Sequence, residues 1–184
     1  ECARFKGTQI EEFIDQKSGV SARLTISALE NLYSVCERRM LLNGEQKTNA
    51  RIADLYGIIP SITGKVELVY EGELEGIAAV AQTLLGKAIR KAFLEDFPDP
   101  EKSKKSKQGN AYAEIVNWFA EGNELDLLNN LSDKDYEKQL SAVPQLSDLI
   151  KKYRRNSTKG QELLMREFVL HGLSEFSQIS KKQL

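Results

Sequence analysis

Arg23 is the residue whose type and position most invite chemistry. It closes the turn in the stretch Gly19 to Thr25 (GVSARLT) and stands in the first turn of a long amphipathic segment. A guanidinium is permanently charged and can donate two parallel hydrogen bonds to phosphate oxygens. A cation at a helix N-terminus meets the positive end of the helix dipole, so an anion or partner elsewhere would help justify it. Taken alone the position is bland, because most arginines of this kind are solvated surface charges.

The remaining reactive residue types do not assemble into a catalytic set. Cys2 and Cys36 form no CxxC spacing, and the lone histidine, His171, cannot complete a zinc set with them. His171 lies beside Leu170 and Leu173, which favours a structural histidine over a catalytic one. Glu67, Glu71, Glu73 and Glu75 could be read as a magnesium site. Magnesium, however, usually takes one or two carboxylates plus phosphates and waters, and a solvated acidic face at a helix start is the stronger reading. Lys102, Lys104, Lys105 and Lys107 could meet nucleic acid, yet no aromatic residues interleave with them for stacking. There is no GxxxxGK[ST] loop, and Gly86-Lys87 falls inside an apolar helical pattern. No apolar strand ends in an acidic pair suited to holding magnesium.

The elements that must position these groups are mainly helical. Ile10, Phe13 and Ile14 mark a short helix that Gly19 stops, and Ser21 is a plausible N-cap for the next. In that next helix Leu29, Leu32, Tyr33, Cys36 and Met40 form one stripe to be buried. Glu30, Arg38 and Arg39 fall off it, and Asn43 and Gly44 end the helix. Thr48 or Asn49 caps a further helix through Ile52, Leu55 and Tyr56, with Pro60 as its stop. Lys65 to Glu71 (KVELVYE) favours one short β segment, with a helical continuation as the alternative. Ile77 to Phe93 keeps a 3.6 period and predicts a core helix. Phe97 to Gly109 is rich in lysine and proline and reads as a solvated linker. Beyond it, helices are expected at 111–120, 124–130, 133–142, 145–153 and 159–176. Ser132 with Asp133 and Asp135 makes a good helix start. Trp118 and Phe119 are adjacent and cannot both point straight into one core, so an interface or an irregular packing is implied.

Length and charge bound the rest. The 184 residues with 41% hydrophobic content can bury one substantial core or two small ones. With 26 basic against 27 acidic residues, no global field favours nucleic acid or an anionic membrane. No apolar run approaches the roughly 20 residues that span a bilayer. A cytoplasmic protein with reduced thiols is expected, without structural metal. The chain opens at Glu1 without an initiator methionine, as a piece of a longer protein would.

GVSAR, the following ISALENLYSVCERRMLLNGE, the stretch TNARIADLYGIIPSITGK and above all VELVYEGELEG resemble a known family. They look like the C-terminal lid of AAA+ ATPases related to the magnesium-chelatase I subunit and MoxR-type proteins. The resemblance is strongest from about Thr8 to Phe97 and continues more weakly through NAYAEIVNWF and EFVLHGLSEFS. It implies an all-α lid bundle over 1–97, a linker over 98–109, and an additional helical subdomain over 110–184. It also implies that Arg23 is a sensor-2 arginine, reaching the ATP phosphate from the lid and coupling hydrolysis to rotation of that lid. ATP and magnesium would belong to an upstream AAA+ core, with the parent a ring homo-oligomer that remodels a protein partner or drives a chelatase reaction. The fragment alone is then expected to have no ATPase activity and no catalytic residue of its own. The competing reading is a non-enzymatic helical protein-interaction module, and a helix-turn-helix nucleic-acid binder stands third.

Overall fold

The computed structural model describes residues 23–63, 76–103, 110–154 and 157–182. Among them the fold is mainly helical and contains no strand. The expected β segment near 65–71 and the acidic residues Glu67, Glu71, Glu73 and Glu75 lie outside the described residues, as do Cys2, Ser21, the short helix around Phe13, and Lys104, Lys105 and Lys107.

Helix α1 runs Arg23–Leu42. Gly44 stops it with φ of 65°, a backbone conformation that costs glycine little. The Gly44 amide donates to the Leu41 carbonyl (3.2 Å) and the Glu45 amide to the Met40 carbonyl (2.9 Å), closing the two orphan carbonyls of a Schellman end. The expected apolar stripe is only partly buried. Leu29 and Tyr33 of that stripe are exposed, Tyr33 at 63%, as is Ile26 before them, whereas Arg39, expected off the stripe, is 2% exposed. α1 packs against the 3-10 helix and the short helix after it, and the polar loop that follows α1 supplies Arg39 with partners.

A 3-10 helix, Ala53–Ile58, leads directly into α2, Ile59–Thr63. Pro60 was expected to stop a helix here and instead sits in the first turn of α2. Its missing amide is one that a first turn leaves unbonded anyway, so it costs nothing. Asn31 Nδ2 donates to Ser61 Oγ (2.7 Å), tying α2 to α1.

The core forms where α3, Ile77–Asp96, crosses α8, Lys159–Glu175. Phe93 is fully buried and its ring stands 5.2 Å from Phe97, 5.9 Å from Tyr112, 6.0 Å from Phe168 and 5.7 Å from Phe176. Such aromatic contacts each add about 0.5–1.5 kcal/mol beyond area burial. The helices approach this closely because α8 carries Gly172 opposite the ring: a Cβ there would run into the Phe93 side chain.

The start of the expected linker is helical. Asp99 Oδ1 accepts the Glu101 amide (2.9 Å) and so begins the short helix α4, Pro100–Ser103. One apolar cluster draws on both sides of 98–109, joining Ile52, Ile89, Phe93 and Phe97 to Tyr112, Ile115, Leu140, Leu146 and Leu173. Tyr112 clamps the two sides through its hydroxyl, which donates to the Pro98 carbonyl (2.6 Å). Helix α5, Ala113–Ala120, follows, and Trp118 and Phe119 both pack against the cluster, edge to face at 4.9 Å.

The helix expected at 124–130 is absent, since this stretch has no helical residues. Gly122, with φ of 90°, turns the chain out of α5. Leu125 and Leu127 then face the core at a spacing of two while Leu128 is exposed, which is an extended pattern. Helix α6, Asp133–Ser141, starts at the expected N-cap, where Ser132 Oγ accepts the Asp135 amide (3.1 Å). Helix α7, Leu146–Tyr153, and the Thr158/Gln161 capping box that opens α8 complete the fold.

Gly172→Ala is expected to destabilise the protein by about 1–3 kcal/mol through overpacking against Phe93. Urea unfolding should show a lower midpoint with an unchanged slope; an unchanged midpoint would mean that the two helices have room to part.

Candidate functional site

Two sites emerge, one at each end of α1. At the N-terminal end of its described part stands Arg23, which is exposed. At the other end the helix enters a buried network of charged side chains that runs from α1 to α8.

The network starts at Arg39. Its guanidinium forms an ion pair with Asp54 in which both side chains are 2% exposed, and its Nη2 donates to the Asn49 carbonyl (2.7 Å) and to Thr48 Oγ1 (3.2 Å). Asp54 also accepts the Arg51 amide (2.7 Å) and the Cys36 thiol (3.4 Å). Thr48 Oγ1 donates to Asp133 Oδ1 (3.1 Å), which also receives Arg51 Nη2 (2.9 Å). Glu45 caps the start of α6 by accepting the Asp133 amide (2.7 Å). The Arg51 guanidinium lies 4.1 Å above the Tyr136 ring, and this cation–π contact is what its Nε and Nη1 have in place of an acceptor.

Tyr136 passes the chain of contacts to α8. Its hydroxyl donates to Glu167 Oε2 (2.8 Å), and the same carboxylate accepts the Ile52 amide on Oε2 (2.6 Å) and the Ala53 amide on Oε1 (3.1 Å). Glu167 is fully buried. Burial on its own would raise its pKa. The charge and proximity of His171, the Tyr136 hydroxyl and the Ile52 amide outweigh that penalty and hold the carboxyl below its ordinary value, so it stays ionised. His171 Nε2 stands 3.7 Å from Oε1, beyond hydrogen-bond reach, so the direct donors are the two amides and the phenol. Burial pushes the Tyr136 hydroxyl far up, reinforced by the Glu167 charge, which keeps it a donor.

This arrangement holds structure together. His171 has Glu167 beside Nε2 and the Lys181 ammonium 3.1 Å from Nδ1, so both ring nitrogens face protein. Lys181 also bonds the Tyr56 hydroxyl and stands 4.5 Å over its ring, strapping the C-terminal segment onto the 3-10 helix. Burial, then the Asp54 charge, push the Cys36 thiol up to about 11, far from a reactive thiolate at neutral pH. Among the described residues, no three His, Cys, Asp or Glu side chains gather as a metal cluster would. Lys102 is exposed and pairs with Asp99 at 3.5 Å. No described helix is long and apolar enough to cross a membrane.

Sequence reasoning singled out Arg23 and His171 and missed Arg39, Arg51, Asp54, Asp133 and Glu167. One signal was present: Glu167 and His171 sit four residues apart in a run, EFVLHGL, whose other side chains are apolar or absent. A carboxylate embedded in such a run needs buried donors. The other four stand in polar surroundings and carried no such mark. No family model, curated protein or solved structure matches the chain.

Glu167→Gln places an amide donor among groups that all donate, and is expected to cost about 3 kcal/mol at neutral pH. Because the folded pKa of Glu167 lies below the ordinary 4.5, its contribution is complete above that value and is lost as pH falls through the folded pKa. Urea unfolding of both proteins across the acid range should show the gap between them closing below pH 4.5. A gap that is constant with pH would rule out the ionised carboxylate as its source.

Proposed function

We propose that this chain is the lid region of a magnesium-chelatase-type AAA+ ATPase, in which Arg23 contacts the terminal phosphate of ATP held by an upstream core domain. The observation that carries the reading is the position of Arg23: an exposed residue at the N-terminal end of the described part of α1, directly after the sequence GVSA. A charge in that place can close on a triphosphate by rigid movement of the helix, without refolding. The mainly helical fold agrees with a lid bundle. The described residues supply none of the remaining ATPase machinery, so in this reading the phosphate loop and magnesium ligands come from residues upstream, and the working form is a ring of such chains acting in the cytoplasm on a protein partner.

A second reading is supported by Ile26, Leu29 and Tyr33, which leave an apolar strip exposed on α1 next to Arg23. Such a strip suits a non-enzymatic helical interaction module as well as it suits a lid resting on a core domain.

The two readings part in one experiment. In a protein that includes the residues upstream of Glu1, Arg23→Ala is expected to lower ATP turnover by at least about tenfold, with the circular dichroism spectrum and melting temperature preserved. Unchanged turnover removes Arg23 from the reaction. A parent protein without ATPase activity leaves the interaction module as the reading that remains.

A further inference from the structure

The loop between α1 and the 3-10 helix, residues 43–52, would ordinarily be a hinge: it has no regular secondary structure, and Gly44 lies within it. Here it is fastened to α1, α6 and α8 by polar contacts, most of them buried or half-buried. Its Asn49 carbonyl and Thr48 hydroxyl hold Arg39 of α1. Thr48 and Arg51 hold Asp133 of α6. Its Ile52 amide is held by Glu167 of α8, and Asn43 Nδ2 donates to the Asn130 carbonyl (3.0 Å) ahead of α6. The side chain of Asn49 fills the space beside Gly160 in the first turn of α8. Little of this is packing that could slide, because each contact fixes a donor on an acceptor and most involve a charge that cannot be left unpaired in the interior.

We propose that this relay, Arg39 with Asp54, Thr48 with Asp133, Arg51 with Tyr136 and Glu167, makes α1 and the C-terminal helices α6 and α8 one mechanical unit. A displacement of α1 is then carried to α8 and is not absorbed in the 43–52 loop. The device is independent of what Arg23 binds: it stands or falls on the fold of this chain, with or without a nucleotide. It gives a physical basis for a coupled movement, namely a continuous chain of contacts that leaves two elements no independent arrangement. Glu167 is its keystone, since it joins the backbone on the α1 side to α8 and, through Tyr136, to α6.

Native-state hydrogen exchange on the chain as described tests this. In the wild-type protein the most protected amides of α1 and α8 are expected to share one opening equilibrium, as parts of a single cooperative unit do. Glu167→Gln is expected to split them, with α1 amides accelerating at least about tenfold more than those of α8. Leu140→Ala, a fully buried apolar truncation outside the relay, should accelerate both by the same factor. If α1 exchanges independently of α8 in the wild type, the proposal is overturned. It is equally overturned if Glu167→Gln moves the two helices in step, as Leu140→Ala does. Should Glu167→Gln not fold, Thr48→Val, which removes an uncharged link of the relay, is read by the same criterion.

Discussion

A buried carboxylate must be given donors, and in this protein that requirement organises the fold. Glu167 is removed from water in the middle of α8. It satisfies itself with the Ile52 and Ala53 amides at the start of the 3-10 helix, groups that a helix beginning leaves without intrahelical partners. Asp54 does the same for the Arg51 amide. Two needs are therefore met by one geometry: the helix start gains an anion that complements its dipole, and the anion gains fixed donors in place of water. The two arginines then balance the acidic charge, Arg39 against Asp54 and Arg51 against Asp133. Removing any one of these partners leaves another charge stranded, which is why the network resists piecemeal loss.

The apolar core does a different job. The rings around Phe93 and the crossing of α3 with α8 bring residues from either side of the lysine-rich segment into one cluster. Hydrophobic burial supplies most of the driving force but is indifferent to small rotations of one helix on another. The polar relay is directional, and it fixes the rotation that burial leaves free. Gly172 belongs to the same division of labour, since it sets how near the helices come while the hydrogen bonds set how they are turned.

Helix positions were largely legible in the sequence because their signals are local: the Schellman end at Gly44, the Ser132 cap, and the 3.6 period of α3 all act within a few residues. The misreadings share a cause. Arg39 looked like a solvent-facing charge, and the stripe through Leu29 and Tyr33 looked like a core face, because a periodicity reports amphipathicity and not which face is covered. The decisive partners of Arg39 lie 15 residues away at Asp54, and those of Ile52 lie 115 away at Glu167. Contacts at such separations leave no trace in a window of sequence. The 124–130 stretch failed for a related reason, as its leucines can serve a helix or an extended segment, and the chain leaves the helix at Gly122 and runs on without regular structure.

The two ends of α1 acquire a relation that neither has alone. Arg23 and Arg39 are separated by 16 helical steps, about 24 Å at about 1.5 Å per residue, on a helix with no internal proline or glycine to bend it. One end is pinned by the relay, Asn31 ties the helix to Ser61 of α2, and Arg23 near the other end is exposed. A rigid rod held at its base and along its length has an end whose position follows from those anchors, so the placement of Arg23 follows from Arg39 with Asp54 and from Asn31 with Ser61. Conversely, a ligand that draws Arg23 toward itself exerts its leverage on that same anchorage. In the proposed reading the exposed charge and the buried charges are the two ends of one lever, and a change at either end is felt at the other to the extent that the relay stays whole.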